Sequence, residues 1–192
     1  YWIKNHEKNI YLNTKICWEL NMLWSEKISF VKETYDNKYF ETEFYGWCDI
    51  GYFRNREYDT DTSLLKNWSN NNIIEKLPKN KIIYGLLQYS NEFIKNALKY
   101  INNKNQKGLP IIPIQPEQIS ISGGFFILNK NLIDLWFKIY DNKLNLYFEN
   151  DYLVKDDQII LADCIFSDMK FFYLFKENIE KDPWFMFQRI LQ

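Results

Sequence analysis

Three short segments carry side chains suited to chemistry. The first is Tyr45-Gly46-Trp47-Cys48-Asp49-Ile50-Gly51-Tyr52-Phe53-Arg54, an apolar stretch ending on one carboxylate, a glycine and then an arginine. Open α/β sheets place ligand-binding groups at the C-terminal tips of buried strands, and a glycine there lets the backbone turn and come close to a ligand. Asp49 is thus a candidate ligand-binding carboxylate, with Gly51 allowing close approach and Arg54 a candidate for neutralising a phosphate. The plainer readings are a turn aspartate that satisfies local amides and an Arg54–Glu57 ion pair. The second segment is Ser120-Ile121-Ser122-Gly123-Gly124-Phe125-Phe126-Ile127-Leu128. Two glycines weaken a strand unless a backbone or ligand must approach closely. Either a sugar ring packs over Gly123 and Gly124 with Ser122 bonded to a hydroxyl, or the glycines mark a bulge or a helix–strand contact. The third segment is Lys155-Asp156-Asp157-Gln158, at the predicted start of a helix. Its two acids read as an N-cap and a dipole partner. Alternatively one of them accepts a proton from a hydroxyl while Gln158 hydrogen-bonds the same ligand.

The elements that must position these groups follow from periodicity. Ile16, Leu20, Leu23, Trp24, Ile28 and Val31 recur at helical spacing, and Ser25-Glu26 predicts a second helix after a bend. Residues 44–48 form the strand that leads to Asp49, and residues 54–72 form a polar loop with a helical turn near Leu64–Trp68. A strand is predicted at 82–87, a helix at 91–100 and a strand within 119–128. The prolines of Gly108–Pro116 exclude a helix between them. Amphipathic helices are predicted from 129 or 130 to 148 and over 156–167, then a strand at 171–175 and a helix from Pro183. Strands alternating with helices indicate an α/β fold with a mainly parallel or mixed sheet.

Composition excludes several classes. The 24 basic and 25 acidic residues leave a net charge of -1, without the basic footprint of a nucleic-acid partner. No window approaches the roughly 20 apolar residues of a membrane span. Cys17, Cys48 and Cys164 are scattered and odd in number, which argues against a disulfide framework or structural zinc and favours a reducing, cytoplasm-like compartment. His6 is the only histidine, so a histidine base has little support. Aromatics make up 19% of the chain, which suits both a large core and sugar-stacking surfaces. The chain begins at Tyr1 rather than Met, and some native N-terminal sequence is expected to precede it.

The order of the three segments resembles nucleotide-sugar transferases of the GT-A fold. Asp49-Ile50-Gly51 is similar to an Asp-x-Asp motif with Gly51 in place of the second acid. Glycogenin-like enzymes carry an Asn/Ser-x-Gly segment and a later Asp-Gln-Asp, of which Asp157-Gln158 matches two positions and Ile159 departs. Their late metal histidine and their opening nucleotide-gripping strand have no counterpart in this chain. A closer resemblance is to the HtrL/YibB-type family of predicted glycosyltransferases. It rests on Trp24-Ser25-Glu26-Lys27, then Trp47-Cys48-Asp49-Ile50-Gly51 with Arg54, then Gly123-Gly124-Phe125-Phe126, Asp157-Gln158 and Trp184, across roughly residues 12–190. The resemblance implies one GT-A-like α/β domain over 1–192, with a mixed, mainly parallel central sheet flanked by helices. It implies transfer of a sugar from a nucleotide-sugar donor, a UDP-sugar foremost, to a glycan, protein or lipid, assisted by Mn²⁺ or Mg²⁺ at Asp49. Asp157, with Asp156 as its substitute, is the implied catalytic acid. Asp49, Gly51, Arg54, Ser122, Gly123, Gly124 and Gln158 are the implied donor-binding residues. The competing expectation is a catalytically degenerate relative that binds carbohydrate or acts as a scaffold.

Overall fold

The computed structural model describes residues 1–54 and 63–192; Glu57 and its pairing with Arg54 lie outside the described residues. Helix α1 (Trp2–Lys8) is followed by α2 (Trp18–Ser25) and α3 (Lys27–Asp36), which meet at Glu26 where the sequence predicted a bend. Strand β1 (Phe44–Cys48) leads to Asp49. Next among the described residues come a short 3₁₀ turn at Leu64–Asn67, α4 (Asn71–Ile74), β2 (Ile82–Leu86) and α5 (Asn91–Ile101). Ser90 caps α5 by accepting from the Phe93 amide. Strand β3 (Ile121–Asn129), α6 (Ile133–Glu149), α7 (Asp157–Ser167), β4 (Phe172–Phe175) and α8 (Met186–Ile190) complete the order. No helix among the described residues is long and apolar enough to cross a membrane.

The strands form one mixed sheet in the order β1-β3-β2-β4. The expected mainly parallel sheet is corrected: β3 runs antiparallel to both β1 and β2, and only the β2–β4 pair is parallel. The apolar run of β3 is buried at every residue because both faces of the sheet are covered. One face carries the cluster around Trp136, Phe126 and Ile160; the other carries Phe125, Ile127 and the C-terminal Met186 and Phe187. Two-sided burial resembles a parallel strand in sequence, but here it follows from layers on both sides rather than from strand direction.

The pattern over 156–167 predicts an amphipathic helix, but Asp157 to Phe166 of α7 are all buried. The helix packs against β3, α5, α6 and α2, so no face is left for solvent, which requires a helix apolar nearly all round.

The first two helices hold the segment entering α7. Asn5 exchanges hydrogen bonds with the Val154 backbone, Nδ2 to its carbonyl at 2.8 Å and its amide back to Oδ1 at 2.9 Å. Asn9 and Asn21 each donate to the Lys155 carbonyl at 2.9 Å. Three buried asparagines therefore satisfy backbone groups that would otherwise be stranded away from water, and they fix the two residues before Asp156.

Candidate functional site

Asp49 follows β1 in a turn pinned on several sides. Its amide donates to the Gly124 carbonyl at 2.9 Å, and its carbonyl accepts from Tyr52 N at 2.8 Å. Tyr52 is buried against Phe125 and Phe185, its hydroxyl accepts from Phe187 N at 3.2 Å, and its carbonyl accepts from Gln188 Nε2 at 2.5 Å. The turn is thus bolted to α8. The Asp49 carboxylate takes a hydrogen bond from Trp47 Nε1 at 2.5 Å, and the Trp47 ring stacks on Phe30.

The residue that joins the segments is Lys27. Its ammonium donates to Gly123 O at 2.7 Å and Asp157 Oδ2 at 3.0 Å, and lies 3.2 Å and 3.3 Å from Asp49 Oδ1 and Oδ2. A lysine in the first turn of a helix opposes the helix dipole, so local preference does not explain Lys27 at the start of α3; its two acid partners do. Burial works against the charge, but Asp157 and then Asp49 outweigh it and the Lys27 pKa is raised. Lys27 stands inside the Trp24-Ser25-Glu26-Lys27 segment, yet nothing in its spacing announced a role across the fold.

Asp157 and Asp156 occupy different positions despite being adjacent. Asp156 is the N-cap of α7, accepting from Gln158 N at 3.2 Å and pairing with Lys155 at 2.9 Å. Burial raises its pKa against the pull of Lys155. Asp157 faces Lys27, and burial pushes its carboxyl up to about 6 while Lys27 pulls the other way. Gln158 Nε2 donates to the Ile121 carbonyl at 3.0 Å, tying α7 to β3.

The Ser-Gly-Gly segment sits at a register shift between β2 and β3, as a bulge would. Its residues do not share one face. Gly123 faces α7, where a Cβ would lie 2.8 Å from Asp157 Oδ2. Gly124 faces the other way, where a Cβ would meet Trp184 Nε1 at 3.0 Å and Tyr52 Cδ2 at 3.2 Å. Ser122 is fully buried and donates to the Trp184 carbonyl at 3.3 Å. Ser122 and Gly124, expected to bind the donor, do not line the cleft described next. Alternation along a strand separates neighbours, and packing fills the space both glycines leave.

An open cleft of about 910 Å³ brings the other residues together, a size on the order of the 300–1,000 Å³ typical of small-molecule sites. Asp49, Gly51, Arg54, Gly123, Asp156, Asp157 and Gln158 all line it, with Lys27 at its floor. Among the described residues, a Cβ at Gly51 would touch only Arg54 Nη1, at 3.6 Å. Arg54 lies over the Phe185 ring, its guanidinium carbon 5.6 Å from the centroid. Trp24, Trp47 and Trp184 form aromatic walls, and Leu20 and Leu23 of α2 form an exposed apolar lip.

Among the described residues, the divalent ion implied at Asp49 finds no matching donor set. Asp49 already takes hydrogen bonds from Trp47 and Lys27, and the space between Asp49 and Asp157 holds the Lys27 ammonium. Among the described residues no three His, Cys, Asp or Glu side chains are grouped as a metal site. Comparison with family models, with curated proteins and with solved structures finds no match for this chain.

Proposed function

We propose that the protein is a glycosyltransferase that moves a sugar from a nucleotide-sugar donor, a UDP-sugar foremost, to a hydroxyl of a glycan, protein or lipid. The observation that supports this reading is the convergence of Asp49, Gly123 and Asp157, from three distant segments, on one aromatic-walled cleft. The HtrL/YibB-type resemblance and a GT-A-like reading of the α/β fold belong to the same proposal. Trp24, Trp47 and Trp184 offer apolar ring faces for a sugar or base. In this reading Arg54 neutralises the diphosphate and Asp49 holds the ribose, and both line the cleft. In the transfer step the acceptor oxygen bonds to the anomeric carbon and the bond to the diphosphate breaks. The diphosphate leaves with that electron pair, and the acceptor proton passes to Asp157. A carboxyl whose pKa is about 6 is ionised at neutral pH and basic enough for that role.

The test is thermal stabilisation by a panel of nucleotide sugars, followed by detection of released nucleoside diphosphate with candidate acceptors. Stabilisation by one donor class and release that requires Asp157 support transfer; indifference to every nucleotide sinks it. The second reading, a carbohydrate-binding protein that has lost transfer, is favoured by one observation: Lys27 engages both Asp49 and Asp157. That protein would respond to sugars and ignore UDP.

A further inference from the structure

We propose that Lys27 is the resident cation of the cleft, an ammonium built into the place where a divalent ion would sit between Asp49 and Asp157, so that the cleft takes its ligand without a metal. The inference concerns the same cleft but stands on its geometry, whether or not a sugar is transferred there.

Three observations carry it. First, an ammonium has three hydrogens to donate, and Lys27 has three acceptors: the Gly123 carbonyl, Asp157 and Asp49. These are two carboxylates and a backbone carbonyl, the hard oxygen ligands that Mg²⁺ and Mn²⁺ also prefer. Second, the Lys27 side chain is only 9% exposed, so water does not compete for those oxygens from its side. Third, the surroundings are shaped for this arrangement. Gly123 has no side chain where the Asp157 carboxylate lies, and α3 begins with a cation that its dipole disfavours. A divalent ion approaching Asp49 meets a positive charge about 3 Å from the oxygens it needs. The raised pKa of Lys27 keeps that charge present at neutral and mildly alkaline pH.

Removing the ammonium while leaving the oxygens is then expected to open a metal site. The experiment is a calorimetric titration of the whole chain with Mn²⁺ alone, in parallel with thermal melting, on the wild type, Asp49→Asn, Lys27→Ala and the Lys27→Ala/Asp49→Asn pair. Wild type is expected to show no saturable binding through millimolar Mn²⁺. Lys27→Ala is expected to bind saturably, with a dissociation constant on the order of 10⁻⁴–10⁻³ M as in weak all-oxygen sites, and the added Asp49→Asn to abolish it. Saturable wild-type binding that Asp49→Asn removes overturns the proposal, and so does a folded Lys27→Ala that binds no more tightly than wild type. Should Lys27→Ala fail to melt cooperatively, the wild-type and Asp49→Asn titrations decide: Asp49-dependent binding overturns the assignment, and none through millimolar Mn²⁺ upholds it. Because metal binding is the readout, a protein that transfers no sugar still answers the question.

Discussion

The Asp157 carboxylate occupies the space that a Gly123 side chain would fill, with Oδ2 only 2.8 Å and Oδ1 3.2 Å from the position of a Cβ. The missing side chain lets α7 and β3 close on each other, and it lets Lys27 reach Asp157 and the Gly123 carbonyl together. Gly123→Ala is therefore expected to push the carboxylate off Lys27 and to cost about 1–3 kcal/mol, as overpacking does. Chemical denaturation measures it. In a Gly123→Ala/Asp157→Ala double variant the two losses are expected to be less than additive, since both break one contact; full additivity would mean the residues act independently.

Lys27→Met keeps most of the side-chain volume and removes the charge. Asp157 then stays buried without its cation, and breaking such a pair costs about 3–5 kcal/mol. The pH dependence has a definite sign. The folded-state pKa of Asp157 already stands above the ordinary value, near 6, and losing Lys27 raises it further. A raised carboxyl costs stability once pH exceeds its folded pKa, and the cost disappears as pH falls to the ordinary carboxylate range. The melting temperature of Lys27→Met should lie furthest below wild type at pH 8 and closest to it at pH 5. A gap that widens on acidification would contradict the assignment.

If Asp157 accepts the acceptor proton, it must be ionised to work. The transfer rate should rise with pH through about 6 and level off above it. Asp157→Asn should flatten that rise and lower the rate by about 10²–10⁴-fold, the usual worth of a general base. Initial rates between pH 5 and 8.5 check both, and an unchanged rise in Asp157→Asn would remove Asp157 from the role.

Asp49→Asn separates function from folding. The Asp49 side chain is 31% exposed, and an asparagine oxygen still accepts from Trp47 Nε1. Solvent-screened pairs contribute on the order of 1 kcal/mol or less, so the melting temperature should fall by only a few degrees. Nucleotide-sugar binding, read by quenching of the tryptophans that line the cleft, should weaken at least tenfold. A variant that binds the donor as wild type does would release Asp49 from the site.

Local chemistry in the sequence by itself determined most of the elements and their order. The break at Glu26, the strand Phe44–Cys48 before Asp49, the Ser90 and Asp156 caps and the turn to Pro183 all rest on short-range rules of periodicity, capping and proline geometry. Asp49, Gly51, Arg54, Gly123, Asp156, Asp157 and Gln158 were legible as site candidates because strand tips and helix starts are where polar side chains meet ligands, and glycines weaken a strand unless something must approach closely. Only the tertiary structure decided the rest. It set β3 antiparallel to both neighbours, because an apolar run reports burial on two faces and says nothing of direction. It turned Ser122 and Gly124 away from the cleft, because the layer each residue faces depends on packing around the bulge. It made α7 apolar-walled on every side, and it recruited Asn5, Asn9 and Asn21 to hold the backbone before Asp156. It also placed Lys27, 22 residues from Asp49 and 130 from Asp157 along the chain, between their two carboxylates. No local pattern encodes that meeting; it exists because α3, β1 and α7 converge at one end of the sheet, and charge neutralisation in a buried space then selects a single partner for both acids.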